Sequence, residues 1–419
     1  MTRFLMQAHA PTTGLAHLGT AIAIGTELRR RGHDVGVAYG GSQPELLDAA
    51  GLEQYRVAEV APEREWSNGE WFRSSAELAP VVDSHVAAIE SARAEVVIAC
   101  HGIAGRVAAE LTERPSLHVF HYLRTTRYAR AMAVSGDRQR DLRHPRRWAR
   151  VGRARLRRMR GRGPTPVRSA VTDLRRERGL PDPGPEAISG CRDSLVAIST
   201  APFLIPARGL PATWRYVGPI SWSPPAPPPE VPAGEGPLAY VTQGSTGSAE
   251  LLERTTGELA AAGFRVIATT ARLLDPGRLR AADGRVVAER LLDGAACMRD
   301  ADVAVIHGGH QTLAEALRTA TPVVAIPVRA DQIGHLHTVE RLGVGAGLYP
   351  PPRRRGSVAR AARRALSPRV VERCRELSER LEGDWDGVRN SADLAESLAA
   401  GPAPAAPASP ASQVGERPR

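Results

Sequence analysis

The sequence predicts an α/β protein of two domains, each a series of buried strands alternating with amphipathic helices. Three observations carry that expectation. The 419 residues exceed what one ordinary domain of roughly 100–200 residues holds. Strand–helix–strand periodicity occurs twice, over 3–120 and again over 238–326. Between the two lies SWSPPAPPPEVPAGEG (221–236), whose six prolines in sixteen residues suit neither a helix nor a central strand.

The elements follow in order. Residues 3–9 are a short apolar run, followed by a loop with Pro11 and Gly14. Leu18, Ile22, Ile24 and Leu28 recur near helical spacing over 17–31, and Gly32 closes the segment. Residues 33–38 read as the next strand. A second unit runs through strand 95–99, helix 103–113 and strand 116–120. Beyond the linker come strand 238–242, helix 249–261, strands 264–268, 285–288 and 302–306, helix 310–319 and strand 322–326. Residues 357–399 are mostly helical, and the Pro/Ala/Ser tail from 401 is expected to be disordered. The expected organisation is a first domain over 1–220, a linker over 221–236 and a second domain over 237–382. A terminal helix over 383–400 should pack back on the first domain, with the tail at 401–419.

Composition removes several classes. Hydrophobic residues at 42% and charged residues at 24% are those of a globular chain, not a wholly disordered one. Cys100, Cys191, Cys297 and Cys374 form no CxxC pair, so a disulfide scaffold or zinc knuckle is disfavoured and a reducing compartment is expected. No apolar run reaches the ~18 residues of a membrane span. Gln7 and His9 come too early for a secretory h-region, so a cytoplasmic setting is expected. The net charge of +11 is concentrated in one place. Residues 124–168 hold 16 Arg against Asp137 and Asp141, so the rest of the chain is slightly acidic. A chain-wide nucleic-acid surface therefore loses its support.

The richest stretch is DVAVIHGGHQTLAEALRTATPVVAIPVRADQ (302–332). A buried strand ends at His307-Gly308-Gly309 and a helix starts at once. Ligands of open parallel sheets bind beyond the carboxyl ends of strands. The glycines admit close backbone approach, and the helix N-terminus suits a phosphate. His307 can add a donor. Glu315, about two turns into the helix, suits a ribose diol, and Asp331 and Gln332 return to the same edge. A second anion loop is expected at Thr242-Gln243-Gly244-Ser245-Thr246-Gly247-Ser248, between a strand and a helix.

The pattern HGGxxTxxEAL, then Asp331-Gln332, ending in Val339-Glu340-Arg341-Leu342-Gly343-Val344-Gly345, resembles the nucleotide-sugar motif of the family 1 glycosyltransferases. The resemblance is to the UDP- and dTDP-sugar-dependent macrolide and antibiotic enzymes of actinobacteria. It implies a GT-B fold, two Rossmann-like domains facing a central cleft. It also implies that His307 and Thr312 contact the diphosphate with Gly308, Gly309 and Gln311 beside them. Gly244 and Ser245 would cradle phosphate, Glu315 hold the ribose, and Asp331 with Gln332 hold the sugar. No cofactor or metal is implied beyond the donor itself. Two positions depart from the family: Gln311 where a small residue is usual, and His335 where Asn is usual. No aromatic residue occurs near 289–292, where the family often stacks the base.

The opening His17-Leu18-Gly19-Thr20-Ala21 to Leu28, then Arg31-Gly32-His33, matches the same family's GHxxP…L…RGH segment, with Ala16 for Gly and Thr20 for Pro. His17 falls where relatives keep a general base, and an imidazole titrating near neutrality is apt for it. His9 is the second candidate. The family's Asp partner is absent, since the matching positions read Ala99-Cys100-His101. In the basic insert, Trp148, Val151, Leu156 and Met159 share one face of a prospective helix. An exposed acceptor-side loop is its leading reading, ahead of an anionic acceptor or peripheral membrane contact; nucleic acid is disfavoured because aromatics are sparse. The resemblance implies an inverting, metal-independent transferase acting on a hydroxyl of a small-molecule acceptor such as a natural product. A non-catalytic partner of another transferase, or a nucleotide-sugar 2-epimerase, are the alternatives.

Overall fold

The computed structural model describes residues 1–8, 15–58, 72–120, 153, 166–182, 194–207, 210–226, 229–245, 247–281, 283–352 and 354–401, the side chains of Ala330 and Asp331 excepted. His9, Cys191, the tail beyond 401 and nearly all of the Arg-rich insert, including its prospective helix, lie outside them.

Two parallel sheets organise the chain. The first holds β1 (Arg3–Ala8), β2 (Asp34–Tyr39), β3 (Glu53–Arg56), β4 (Val96–Cys100), β5 (Ser116–Phe120), β6 (Leu195–Ile198) and β7 (Trp214–Tyr216) in the order β3-β2-β1-β4-β5-β6-β7. Its helices are α1 (Leu15–Arg30), α2 (Glu45–Ala49), α3 (Ser75–Ser91), α4 (Ile103–Leu111) and α5 (Pro166–Glu177). The second holds β8 (Leu238–Thr242), β9 (Arg265–Thr269), β10 (Val286–Glu289), β11 (Val303–Ile306), β12 (Val323–Ala325) and β13 (Gly345–Gly347) in the order β10-β9-β8-β11-β12-β13. Its helices are α6 (Ala249–Ala261), α7 (Gly294–Asp300), α8 (His310–Arg318), α9 (Ala330–Leu342), α10 (Ser357–Ala365) and α11 (Pro368–Leu381), after which comes α12 (Gly387–Ala399).

The strands read as apolar runs because helices cover both faces of each sheet. Every residue of β4, β5, β8 and β11 is buried. Each sheet reverses its strand order once, between β1 and β4 and between β8 and β11. A crevice opens at such a reversal, beyond the carboxyl ends of the two strands. In the first sheet Ala8 pairs with Cys100, so α1 and the turn at His101 leave side by side. In the second, Thr242 pairs with Ile306, so the 243–248 loop adjoins His307.

The chain ends by crossing back. Asp386 caps α12 through the N–H groups of Val388 and Arg389. Ala392 and Ala395 then join Leu18, Ile22 and Val37 in one apolar cluster. Arg31 holds Asp393 at 2.5 Å and Glu396 at 2.7 Å, and His33 meets Glu396 at 2.8 Å. At the crossover, Arg318 donates to the carbonyls of Pro219 (3.0 Å) and Trp385 (2.9 Å). Gly218 sits in the left-handed region, where a β-carbon would lie 2.1 Å from the Trp385 oxygen, so only glycine fits between the two passes of chain. Among the described residues no helix is long and apolar enough to cross a membrane.

Candidate active site

On the second domain the site is built from two loops and one helix. Gly309 caps α8 without a side-chain bond, so the first-turn N–H groups are left for a ligand. Their partial positive charge favours an anion. His307 ends β11 and is buried. Its ring lies between two glycines: a β-carbon at Gly244 would be 2.5 Å from Cε1, and one at Gly309 would be 2.5 Å from Nε2. The two loops named from the sequence therefore meet on one imidazole. Ser245 and Thr312 are half-buried beside it.

Glu315 lies on α8 with 7% exposure. Burial pushes its carboxyl up to about 8, offset in part by a hydrogen bond from Ser223 and reinforced by Asp293. The Ser223 hydroxyl is 3.3 Å from Oε1 and also accepts the Ala295 N–H at 3.2 Å. A linker residue thus ties Glu315 to the start of α7. Gly294 leaves room there, since a β-carbon would lie 3.1 Å from Glu315 Oε2. Leu292, near the expected base position, is buried in the core instead.

Gln332 is buried, and its Oε1 accepts both the Val328 and Arg329 N–H groups at 2.9 Å. Its oxygen fixes the β12–α9 loop, which leaves only its amide N–H groups for a sugar. Asp331 is in the first turn of α9, next to it.

Gln311, expected among the donor contacts, faces the first domain. Its Nε2 lies 3.4 Å from Thr20 Oγ1 and would be 3.3 Å from a β-carbon at Gly19. Thr20 donates its own proton to the Ala16 carbonyl at 2.9 Å. His17 is one helical turn before Thr20 on α1. The His17 ring stacks on His101, centroids 4.5 Å apart at 22°.

A second link across the cleft escaped the sequence reading. His335 Nδ1 lies 2.7 Å from the Gly308 carbonyl, and His335 Nε2 lies 3.2 Å from His310 Nδ1. The Ser199 hydroxyl, from the first domain, is 3.2 Å from both His310 Nε2 and the Phe120 carbonyl. A carbonyl only accepts, so with neutral rings His335 carries its proton on Nδ1 and His310 on Nδ1. Burial, and the His335 ring beside it, push His310 down to about 3, which keeps it neutral. The signal was in the sequence, because His310 sits inside the HGGxxT run at a position the motif leaves open. Among the described residues no cluster of His, Cys, Asp and Glu suits a metal ion.

This geometry defines a class. The two facing Rossmann-like domains are the GT-B fold. No family model matches the chain. Among curated proteins it is similar to the PGL/p-HBAD biosynthesis glycosyltransferase of Mycobacterium tuberculosis, 31% identical over 228 residues. That match covers 53% of this chain and 52% of the relative, so the chain spans about half the length of the curated relatives it matches. Among solved structures it is similar to the kitacinnamycin glycotransferase, with TM-score 0.70, 22% identity, and 94% and 98% of the two chains covered. The glycosyltransferase VinC in complex with dTDP gives TM-score 0.63 at 17% identity, covering 94% and 100%. The resemblance to antibiotic-type glycosyltransferases thus holds in both sequence and fold.

Proposed function

We propose that the protein is an inverting glycosyltransferase that moves a sugar from a UDP- or dTDP-sugar to a hydroxyl of a small-molecule acceptor, without a metal ion. The observation that carries the reading is the pairing of the two strand-order reversals. One presents His17 and the other His307, and the Gln311–Thr20 contact brings their helices face to face. That the structurally similar VinC is in complex with dTDP supports a nucleoside diphosphate as part of the donor.

The chemistry follows from that pairing. The acceptor hydroxyl gives its proton to His17 as its oxygen attacks the anomeric carbon. The bond from that carbon to the diphosphate oxygen breaks, and the electron pair stays on the diphosphate. The α8 N-terminus and His307 meet the growing negative charge. With His17 as base on one domain and the diphosphate held by the other, in-line attack from the face opposite the diphosphate would invert the centre. Glu315 would take the ribose hydroxyls, and Asp331 with the Gln332 amide the sugar hydroxyls. We place the reaction in the cytoplasm.

The test uses the full chain with UDP-glucose and dTDP-glucose and a panel of phenolic acceptors, with and without EDTA. Product of inverted anomeric configuration, formed equally with chelator, is expected. His17→Ala should lower kcat by ~10²–10⁴-fold while leaving donor affinity unchanged. Retained configuration, or loss on chelation that Mg²⁺ restores, would overturn the mechanism.

A further inference from the structure

We infer that His101 is the positioning residue for His17, holding the imidazole by a stacked ring where the family pattern would place a carboxylate. The inference rests on His17 being the base, as proposed above.

Three observations converge on His101. The first is its place. It follows β4 directly, and the pairing of Ala8 with Cys100 sets that turn beside the end of β1, at the strand-order reversal of the first sheet. The second is its contact. The two rings are nearly parallel at 22°, with centroids 4.5 Å apart. A ring so covered cannot turn about its Cβ–Cγ bond without colliding with its neighbour, so the plane of His17 is fixed. The third is its backbone. His101 has φ +60, left-handed for a residue with a β-carbon, although Gly102 follows it. Such conformations persist where the surroundings over-determine them, and they gather at functional sites. The side chain is 5% exposed, and the Phe120 ring lies 6.2 Å away between centroids.

The substitution has a chemical meaning. A carboxylate at this position would accept the His17 N–H and favour the protonated ring. A stacked imidazole fixes the plane without supplying that negative charge. The sequence shows a missing acid at Cys100; the structure shows a partner one residue later that works by contact.

Two variants separate ring from backbone. His101→Phe keeps a ring to stack and retains the strained φ. His101→Asn tolerates the left-handed region and removes the ring. The full-length protein is assayed for transfer from UDP-glucose or dTDP-glucose to 4-methylumbelliferone, with kcat and donor KM measured separately. His101→Asn should lose about ten- to a hundredfold in kcat with donor KM unchanged, and His101→Phe should stay within about threefold of the parent. In a His17→Ala background, His101→Asn should cost nothing further, because it acts through the missing ring. Equal kcat for His101→Asn and the parent overturns the inference, as does a full further loss in the His17→Ala background. A His17→Ala variant with parental kcat instead sinks the base assignment itself.

A turnover-free measurement decides the contact. In ¹³C-histidine-labelled protein without ligand, the His17 ring protons, assigned through His17→Ala, should be shifted upfield by the neighbouring ring. That shift should persist in His101→Phe and vanish in His101→Asn. Unshifted His17 signals in the parent protein overturn the stack, whatever the kinetics.

Discussion

Gly244→Ala probes the cradle at its tightest point. Gly244 has φ +59, a conformation that costs an L-residue roughly 1–2 kcal/mol. The added β-carbon would also lie 2.5 Å from His307 Cε1 and 2.8 Å from Nε2. The imidazole cannot retreat freely, since Gly309 backs it and it is only 6% exposed. Overpacking of this kind adds about 1–3 kcal/mol. The sum is roughly 2–5 kcal/mol, which for a domain of this size lowers Tm by about 5–15 °C. Displacing His307 from the anion cradle should also remove a charge-assisted bond, weakening UDP or dTDP by about 1–3 kcal/mol, or roughly 5–150-fold in Kd. Gly257→Ala is the control. It lies on the exposed side of α6, where a β-carbon meets nothing within 4 Å, and it should gain about 0.5–1 kcal/mol. Urea denaturation gives the stabilities and titration calorimetry the affinities. If Gly244→Ala melts and binds nucleotide like Gly257→Ala, the imidazole is not wedged between the two loops and the cradle as described is wrong.

Other outcomes follow from the same geometry. Burial holds His85 down at about 4 and His310 and His337 at about 3, against about 6.5 unfolded, so the unfolded chain binds more protons between those values. Ligand-free stability should therefore fall as pH drops from 6.5 toward 4, by up to about 1.4 kcal/mol per pH unit for each histidine, and a flat urea-midpoint profile would contradict their burial. Glu315 acts in the opposite sense: held at about 8, it binds a proton that the unfolded chain has released above about 4.5. Its share of stability declines as pH rises from 4.5 to 8, and Glu315→Gln should remove that decline while weakening nucleotide binding measured by calorimetry. Finally, the Gln243 amide, just after β8, is fully buried and has no hydrogen-bond partner among the described residues. Gln243→Met should stabilise the protein by about 1–3 kcal/mol, and a loss of stability on denaturation would show that the amide has a partner in solution.

Much of the fold could be read from the sequence because parallel strands covered on both faces are apolar throughout. Runs such as Val96–Cys100 and Val303–Ile306 stand out against any background. The β3 and β7 strands did not, because β3 (EQYR) is polar and partly exposed and β7 (WRY) buries only its first residue, and neither did β6. The loops proposed to hold the donor were legible because their residues are local: His307, Gly308 and Gly309 are contiguous and Glu315 follows at fixed helical spacing. Contacts across the cleft were not. Gln311 and Thr20 are 291 positions apart, and His310 and Ser199 are 111 apart. Sequence pattern flagged Gln311, His335 and Thr20 only as departures from a family habit. In space Gln311 and Thr20 form one bridge across the cleft, and His335 supports the other. The family pattern calls for an acid at Cys100 as the partner of His17. A stacked ring one residue later, on a left-handed backbone, has no signature in the order of residues.

The return of α12 to the first sheet sets the order in which the chain can finish folding on the ribosome. The apolar face of α1, including Leu18 and Ile22, is closed by Ala392 and Ala395. The strands it covers are all synthesised by residue 216. At about 5–20 residues per second, the first half waits on the order of ten to thirty seconds for its last helix to emerge. During that interval an open hydrophobic groove faces solvent beside a nascent second domain. A ribosome stalled anywhere between the linker and Asp386 would release a polypeptide with a fully formed sheet and an uncovered flank, a natural substrate for holdase chaperones. Joining the segment 383–400 ahead of Met1 would remove the wait, so such a circular permutant should refold with less aggregation than the parent chain.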